Sequence, residues 1–253
     1  MKLRGILIAV FSTVCLLAMA ILALVSGSML FTQTQKKMEY QMQKEANELS
    51  GSIDAWMNGK LEATSNLAAF MGENMDLTST AEQLHLILQS PDYQGSVSDL
   101  YVGTTDGKMI DGSFATFDAS YDPRERVWYQ LASVSDRAVI TEAYVDNTTK
   151  KLCVSVAKAI QSSQGEQKGV VAMDILLDTI TEKVNETVFG KTGQAFLVDE
   201  TGVFLANQEE ALLNTSISEQ ADMKNLSEEL LGNENGILSY KQGNSSRILV
   251  YKK

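Results

Sequence analysis

Leu100-Tyr101-Val102-Gly103-Thr104-Thr105-Asp106-Gly107-Lys108-Met109-Ile110 decides the fold. Two short apolar runs flank a polar tetrad ending in Asp-Gly, the pattern of strand, tight turn, strand. Ninety-five residues later the same pattern returns: Ala195-Phe196-Leu197-Val198, the tetrad Asp199-Glu200-Thr201-Gly202, then Val203-Phe204-Leu205. The same offset lays Cys153-Val154-Ser155-Val156 over Ile248-Leu249-Val250-Tyr251. Two separate segments agreeing on one offset predict an internal duplication, two small antiparallel sheets with helices on one face of each. A further strand, Gly169–Ile175, closes the first module. Its counterpart would begin near position 264 (169 + 95), past Lys253, so the second module is expected to stop one strand short. On that reading the chain is a fragment lacking a second membrane helix and an output domain.

Upstream of this α+β region, Gln33–Met75 contains no proline, and apolar or small residues recur at Met38, Met42, Ala46, Leu49, Ile53, Trp56, Ala63, Leu67 and Phe70, with Lys60 the one clear exception. Steps of three and four predict one long helix, about 65 Å at 1.5 Å per residue. Trp56 and Phe70 are bulky for a two-stranded seam, which favours packing against a sheet, with a homodimer contact near Met38 and Met42. Ser79-Thr80-Ala81-Glu82 fits a capping box opening a short helix through Leu84, His85, Ile87 and Leu88, which Pro91 ends.

Ile6–Val25 is free of charge. Twenty residues of helix span the ~30 Å hydrocarbon core. Lys2 and Arg4 precede it, and no acid occurs before residue 26, so the positive-inside rule leaves Met1 in the cytoplasm and everything after about Ser28 outside. A cleaved signal peptide, with Ala18-Met19-Ala20 as its small-x-small site, is the competing reading; the apolar run exceeds the ~7–15 residues of a usual signal core, which favours an anchor in the plasma (inner) membrane. The expected division is 1–30 cytoplasmic tip and transmembrane helix, 31–78 long helix, 79–190 membrane-distal module and 191–253 membrane-proximal module.

Lys plus Arg number 21 and Asp plus Glu 32, a formal net charge of −11 that argues against a nucleic-acid partner. Cys15 and Cys153 are too few for a disulfide framework or a cysteine zinc site, and one histidine, His85, leaves little for catalysis or metal binding. No phosphate-binding glycine loop, nucleophile elbow or metal-ligand spacing is present, so no enzyme activity, metal or cofactor is expected.

Tyr121-Asp122-Pro123-Arg124-Glu125-Arg126-Val127-Trp128-Tyr129 concentrates Tyr121, Arg126, Trp128 and Tyr129 in nine residues of a chain that is 7% aromatic. A guanidinium offers a planar fork for a carboxylate, and Trp and Tyr supply apolar walls with single donors. Downstream, Tyr144 and Asp146 share a strand face, and Asp174 interrupts an apolar strand, where an acid is costly unless paired. A cationic fork and a carboxylate lined by aromatics complement a zwitterion. The same residues admit a plainer arrangement, in which Arg126 pairs with Asp174 or Asp146 and the aromatics only pack.

The chain resembles the double Cache (dCache) sensor of bacterial methyl-accepting chemotaxis proteins, amino-acid-sensing type, over about residues 1–253. The resemblance places Tyr121, Arg126, Trp128, Tyr129, Tyr144 and Asp174 on that family's ligand motif. It implies that Arg126 and Trp128 hold a ligand carboxylate. Tyr121, Tyr144 and Asp174 would then hold the α-ammonium, with Asp146 a substitute for Asp174, and Tyr129 would complete the polar wall. Val127 stands where family members often carry proline. The implied function is an extracellular or periplasmic sensor of a chemoreceptor that binds an L-amino acid in its distal module. The alternative is the same sensor on a histidine kinase or a cyclic-dinucleotide enzyme.

Overall fold

A computed structural model describes residues 2–74, 79–186 and 193–253. The expected helix end at Met75 and the module boundary at 190/191 fall outside those residues. Helix α1 (Lys2–Asn74) joins the apolar segment and the long helix without a break, about 110 Å in all. Its Ile6, Leu7, Phe11, Leu17 and Leu24 are all exposed, and the segment is long and apolar enough to cross a membrane.

The C-terminal half of α1 does pack against a sheet. Ile53, Lys60, Thr64, Ala68 and Met71 form its buried face, spaced seven, four, four and three. Phe70, expected in that stripe, is instead exposed, because the face drifts toward Ala68 and Met71 as 3.6 residues per turn departs from a strict heptad. Lys60, the exception in the pattern, is buried with its ammonium donating to the Asp92 carbonyl at 3.0 Å and Ser96 Oγ at 2.8 Å. At the far end, Gly72 lies flat on the sheet: a Cβ there would stand 2.1 Å from the Gln161 carbonyl oxygen.

Helix α2 (Thr80–Leu88) begins where expected, but the capping box is not made. Ser79 has αR backbone angles and gives the helix no side-chain cap; Gln83 Nε2 donates to its Oγ instead, at 3.3 Å. The main sheet comprises β1 (Asp99–Thr104), β2 (Met109–Asp111), β3 (Val139–Ile140), β4 (Tyr144–Val145), β5 (Leu152–Gln161) and β6 (Gln167–Leu176). Its order is β2-β1-β6-β5-β3, with β4 also on β5, and every pairing is antiparallel. Strand alternation gives it two different faces. Leu100, Val102, Val154, Val156, Val171, Met173 and Ile175 join the core beneath α1, α2 and α4 (Leu177–Asn185). Asp99, Tyr101, Asp111, Ser155, Ala157, Ala172 and Asp174 alternate with them onto the other face. A helix covers this second face too, contrary to the one-sided expectation: α3 (Val127–Ser133) packs Trp128, Tyr129 and Ala132 on Tyr101, Ala157, Val170 and Ala172.

The second region holds β7 (Leu197–Val198), β8 (Phe204–Ala206), α5 (Ser227–Gly232), β9 (Asn235–Gln242) and β10 (Ser245–Lys252). The 95-residue offset recurs in its hydrogen bonds. Thr104 N donates to Lys108 O and Gly107 N to Thr104 O; Asp199 N donates to Val203 O and Gly202 N to Asp199 O. The two turn glycines have φ of 87° and 85°, the left-handed region that favours glycine. Tyr144 opposes Cys153 in β4–β5, and Ser239 opposes Ile248 in β9–β10. The β7–β8 and β9–β10 pairs stay separate ladders, because the strand that bridges hairpin to hairpin in the first sheet, β6, has no counterpart among residues 193–253.

Candidate ligand-binding site

The second face of the main sheet and the segment leading into α3 line a narrow cleft that is partly open to solvent, its about 280 Å³ of non-atom space including the open solvent in front of it. Local backbone chemistry sets its upper wall. Asp122 accepts from Arg124 N at 2.9 Å and Pro123 takes the first position of a single 3-10 turn, Pro123–Glu125. Arg126 then returns to extended backbone (φ −85°, ψ 145°) and serves as N-cap of α3. That break between two helical turns puts the Arg126 side chain on the cavity and drops Trp128 onto the sheet. Val127 occupies the first helical position, where proline is tolerated but not required. Gly103 makes the descent possible, since a Cβ there would stand 2.8 Å from both Pro123 Cβ and the Trp128 ring.

Arg126 forms no salt bridge among the described residues; its guanidinium carbon lies 5.6 Å from the centre of the Tyr121 ring. Asp174, 2% exposed, is held from below. Its Oδ1 accepts from Tyr101 OH at 2.7 Å, Ser155 Oγ at 2.5 Å and Tyr144 OH at 3.2 Å, whereas Oδ2 takes part in none of these bonds. Burial pushes the carboxyl up to about 6, against the pull of the three hydroxyls. Burial likewise pushes the Tyr101 and Tyr144 phenols well up, with Asp174's charge adding to it, so both stay protonated as donors. Arg126 and Asp174 thus line one cavity without bonding to each other, and the plainer paired arrangement is not formed.

Of the seven residues singled out in the sequence, Tyr121, Arg126, Trp128, Tyr144, Asp146 and Asp174 line the cavity. Tyr129 does not: one residue further along α3 it points about 100° away from Trp128, its ring edge-on to the indole at 5.6 Å. Asp146 spends its acceptors on its own turn, taking Thr148 N on Oδ1 and Thr149 N and Oγ1 on Oδ2. The sequence reading missed Asp99, Tyr101 and Asp111, which line the cavity from β1 and β2. Asp99 and Asp111 flank the Leu100–Ile110 stretch, and a signal for the first strand lay in its alternation, Asp99, Tyr101 and Gly103 against Leu100 and Val102.

The profile of the dCache_1 family, described as a Cache domain, matches residues 31–253. The chain belongs to that family. Among the relatives of this dCache domain, the methyl-accepting chemotaxis protein McpA of Pseudomonas putida is 29% identical over 204 residues, 79% of this chain and 31% of McpA. McpC of Bacillus subtilis is 37% identical over 122 residues, 48% of this chain and 18% of McpC. The chain spans about a third of the length of the first of these chemotaxis proteins. Its dCache fold is shared with the ligand-binding domain of the Pseudomonas fluorescens chemoreceptor CtaA, crystallised with L-serine (TM-score 0.72, 23% identity, 85% of this chain and 89% of that one). It is shared also with that of the Pseudomonas aeruginosa amino acid chemoreceptor PctC, in complex with GABA (TM-score 0.68, 25% identity, 83% of this chain and 90% of that one).

Proposed function

We propose that this dCache domain is the extracytoplasmic sensor of a membrane-anchored chemoreceptor and that its cavity binds an L-amino acid. One observation carries the reading: a guanidinium that forms no salt bridge among the described residues and a carboxylate whose Oδ2 takes no part in its hydroxyl bonds line the same cavity. Arg126 and the Trp128 indole take the α-carboxylate; Asp174, Tyr144 and Tyr121 take the α-ammonium. Asp146, already bonded within its turn, serves the wall rather than the ammonium, and Tyr129 supports Trp128 from behind.

The exposed apolar segment of α1 anchors the sensor, and Met38 and Met42 lie where two copies of α1 would meet in a homodimer. We place the distal module at 79–190 and the proximal one at 191–253. The matched relatives are chemotaxis proteins, which favours that output over a kinase or cyclic-dinucleotide enzyme. Titration calorimetry of the chain in detergent micelles, against L-amino acids, carboxylic acids without the amine and amines without the carboxylate, tests the ligand class. Saturable binding is expected only where both groups are present; equal binding of acids lacking the amine would refute it.

A further inference from the structure

The contacts assigned to Arg126 and Asp174 leave two buried acids of the same cavity without a role. Asp99 lies directly across from Asp174 in the β1–β6 ladder, and Asp111 across from Tyr101 in β1–β2. They are 4% and 6% exposed. Ser113 Oγ lies 3.2 Å from Asp99 Oδ2 and 2.6 Å from Asp111 Oδ1, but its single hydrogen serves one at a time. Asp99 Oδ1 accepts from Leu100 N, and Asp111 Oδ1 from Ser113 N and Ala115 N. Asp111 Oδ2 is fully buried with no hydrogen-bond partner among the described residues.

The charges in the lining do not balance. Among the described residues, Asp99, Asp111, Asp146 and Asp174 face it, and Arg126 is its one cation. An amino acid with a neutral side chain adds no net charge and leaves the buried Asp99–Asp111 pair to be offset by a held proton rather than by a counter-charge. We propose that Asp99 and Asp111 form a side-chain subsite that selects amino acids carrying a second positive group, a terminal ammonium or guanidinium. This rests on the amino-acid reading above. The spacing of Asp111 suits it: β2 lies two strand intervals, about 10 Å, from β6, the order of length of a lysine or arginine side chain, with Asp99 on the strand between, one interval from Asp174. Without a second positive group, a proton held at this pair offsets the repulsion, consistent with Asp99 being pushed up to about 8 by burial and by Asp111's charge. An entering cation displaces that proton.

The test compares isosteres by titration calorimetry on the full chain in detergent micelles: L-lysine against L-norleucine, and L-arginine against L-citrulline. The basic member of each pair should bind at least about tenfold tighter and release protons, read from buffers of different ionisation enthalpy. Asp111→Asn and Asp99→Asn should each bring the ratio toward one. L-norleucine and L-citrulline binding as tightly as their basic partners would overturn the subsite and leave the amino-acid reading intact. Failure of all four to bind would overturn both. The wild-type comparison needs no variant to fold.

Discussion

Asp174→Asn is expected to move stability and affinity in opposite directions. The amide keeps the shape and one acceptor oxygen for Tyr101, Ser155 and Tyr144, so the hydroxyl cluster stays bonded. What it removes is a charge buried to 2% exposure. The carboxyl titrates at about 6 in the folded protein, against about 3.9 in an unfolded chain. Its stabilising contribution is therefore full below about pH 4 and is lost as pH rises through about 6. Two pH units correspond to ~2.7 kcal/mol, and relaxation around a buried group trims that to about 2. At pH 7 the ligand-free variant should accordingly melt about 4–8 °C above the parent.

Binding should move the other way. The ligand ammonium loses a charge-assisted partner worth about 1.5–3 kcal/mol, a ten- to hundredfold weakening, so the thermal shift on adding an amino acid should largely vanish. Differential scanning calorimetry with and without ligand, at pH 5 and pH 7.5, reads both effects. A variant that melts lower than the parent at pH 7 while keeping its ligand-induced shift would refute the assignment. Asp174 would then be a structural acid, stabilised by its hydroxyls and irrelevant to the guest.

Three further outcomes follow from the same geometry. Arg126→Ala should weaken amino acids ten- to a hundredfold by calorimetry and leave amines without a carboxylate nearly unaffected. Between pH 5 and pH 7, amino-acid affinity in the parent should rise as Asp174 ionises, and the rise should be absent in Asp174→Asn; Arg126, Asp99, Asp111, Asp146, Tyr101, Tyr121 and Tyr144 are the other ionisable groups facing that space. Gly103→Ala should cost about 1–3 kcal/mol in urea denaturation and abolish binding, because the added methyl meets Pro123 and Trp128 at 2.8 Å.

The sequence carried the hairpins, their 95-residue repeat and the long helix, because each rests on local periodicity or turn chemistry. The Asp106-Gly107 turn and its echo at Gly202 needed no tertiary information. Lys60 was opaque, since the carbonyl and hydroxyl that satisfy it lie 32 and 36 residues away. The capping box failed for a similar reason: the motif was present, but Ser79 folded into αR geometry and Gln83 took its hydroxyl. In the site, the dense cluster at Tyr121–Tyr129 was visible as composition, whereas Asp99 and Asp111 were not. Leu100 through Gly103 had been read as an apolar run, and only alternation separates the core face from the cavity face. Tyr129, grouped with that cluster by sequence and by the family motif, lies off the cavity lining because helix geometry turns it away from the side Trp128 faces.

That alternation also links the site to α1. Leu100 and Val102 of β1, and Val171, Met173 and Ile175 of β6, touch the core beneath α1, while their neighbours Asp99, Tyr101 and Asp174 face the cavity. The end of α1 is pinned to the β5–β6 hairpin by Lys168 Nζ donating to Gly72 O at 2.6 Å and Ser163 N to Glu73 Oε1 at 2.7 Å. A guest that draws Asp174 and the α3 segment together shifts strands whose other face is already bonded to the helix, so a displacement in the cavity reaches α1 through a single layer. Gly72→Ala isolates this link, because its Cβ would stand 2.1 Å from a backbone oxygen that cannot rotate away, forcing α1 off the hairpin. The cavity residues are untouched by that substitution, so amino-acid affinity by calorimetry should stay within a fewfold. The ligand-dependent change in distance between spin labels on α1 near Met38 and on β5 should disappear. A ligand response of unchanged size in Gly72→Ala would mean that the signal leaves the cavity by another route.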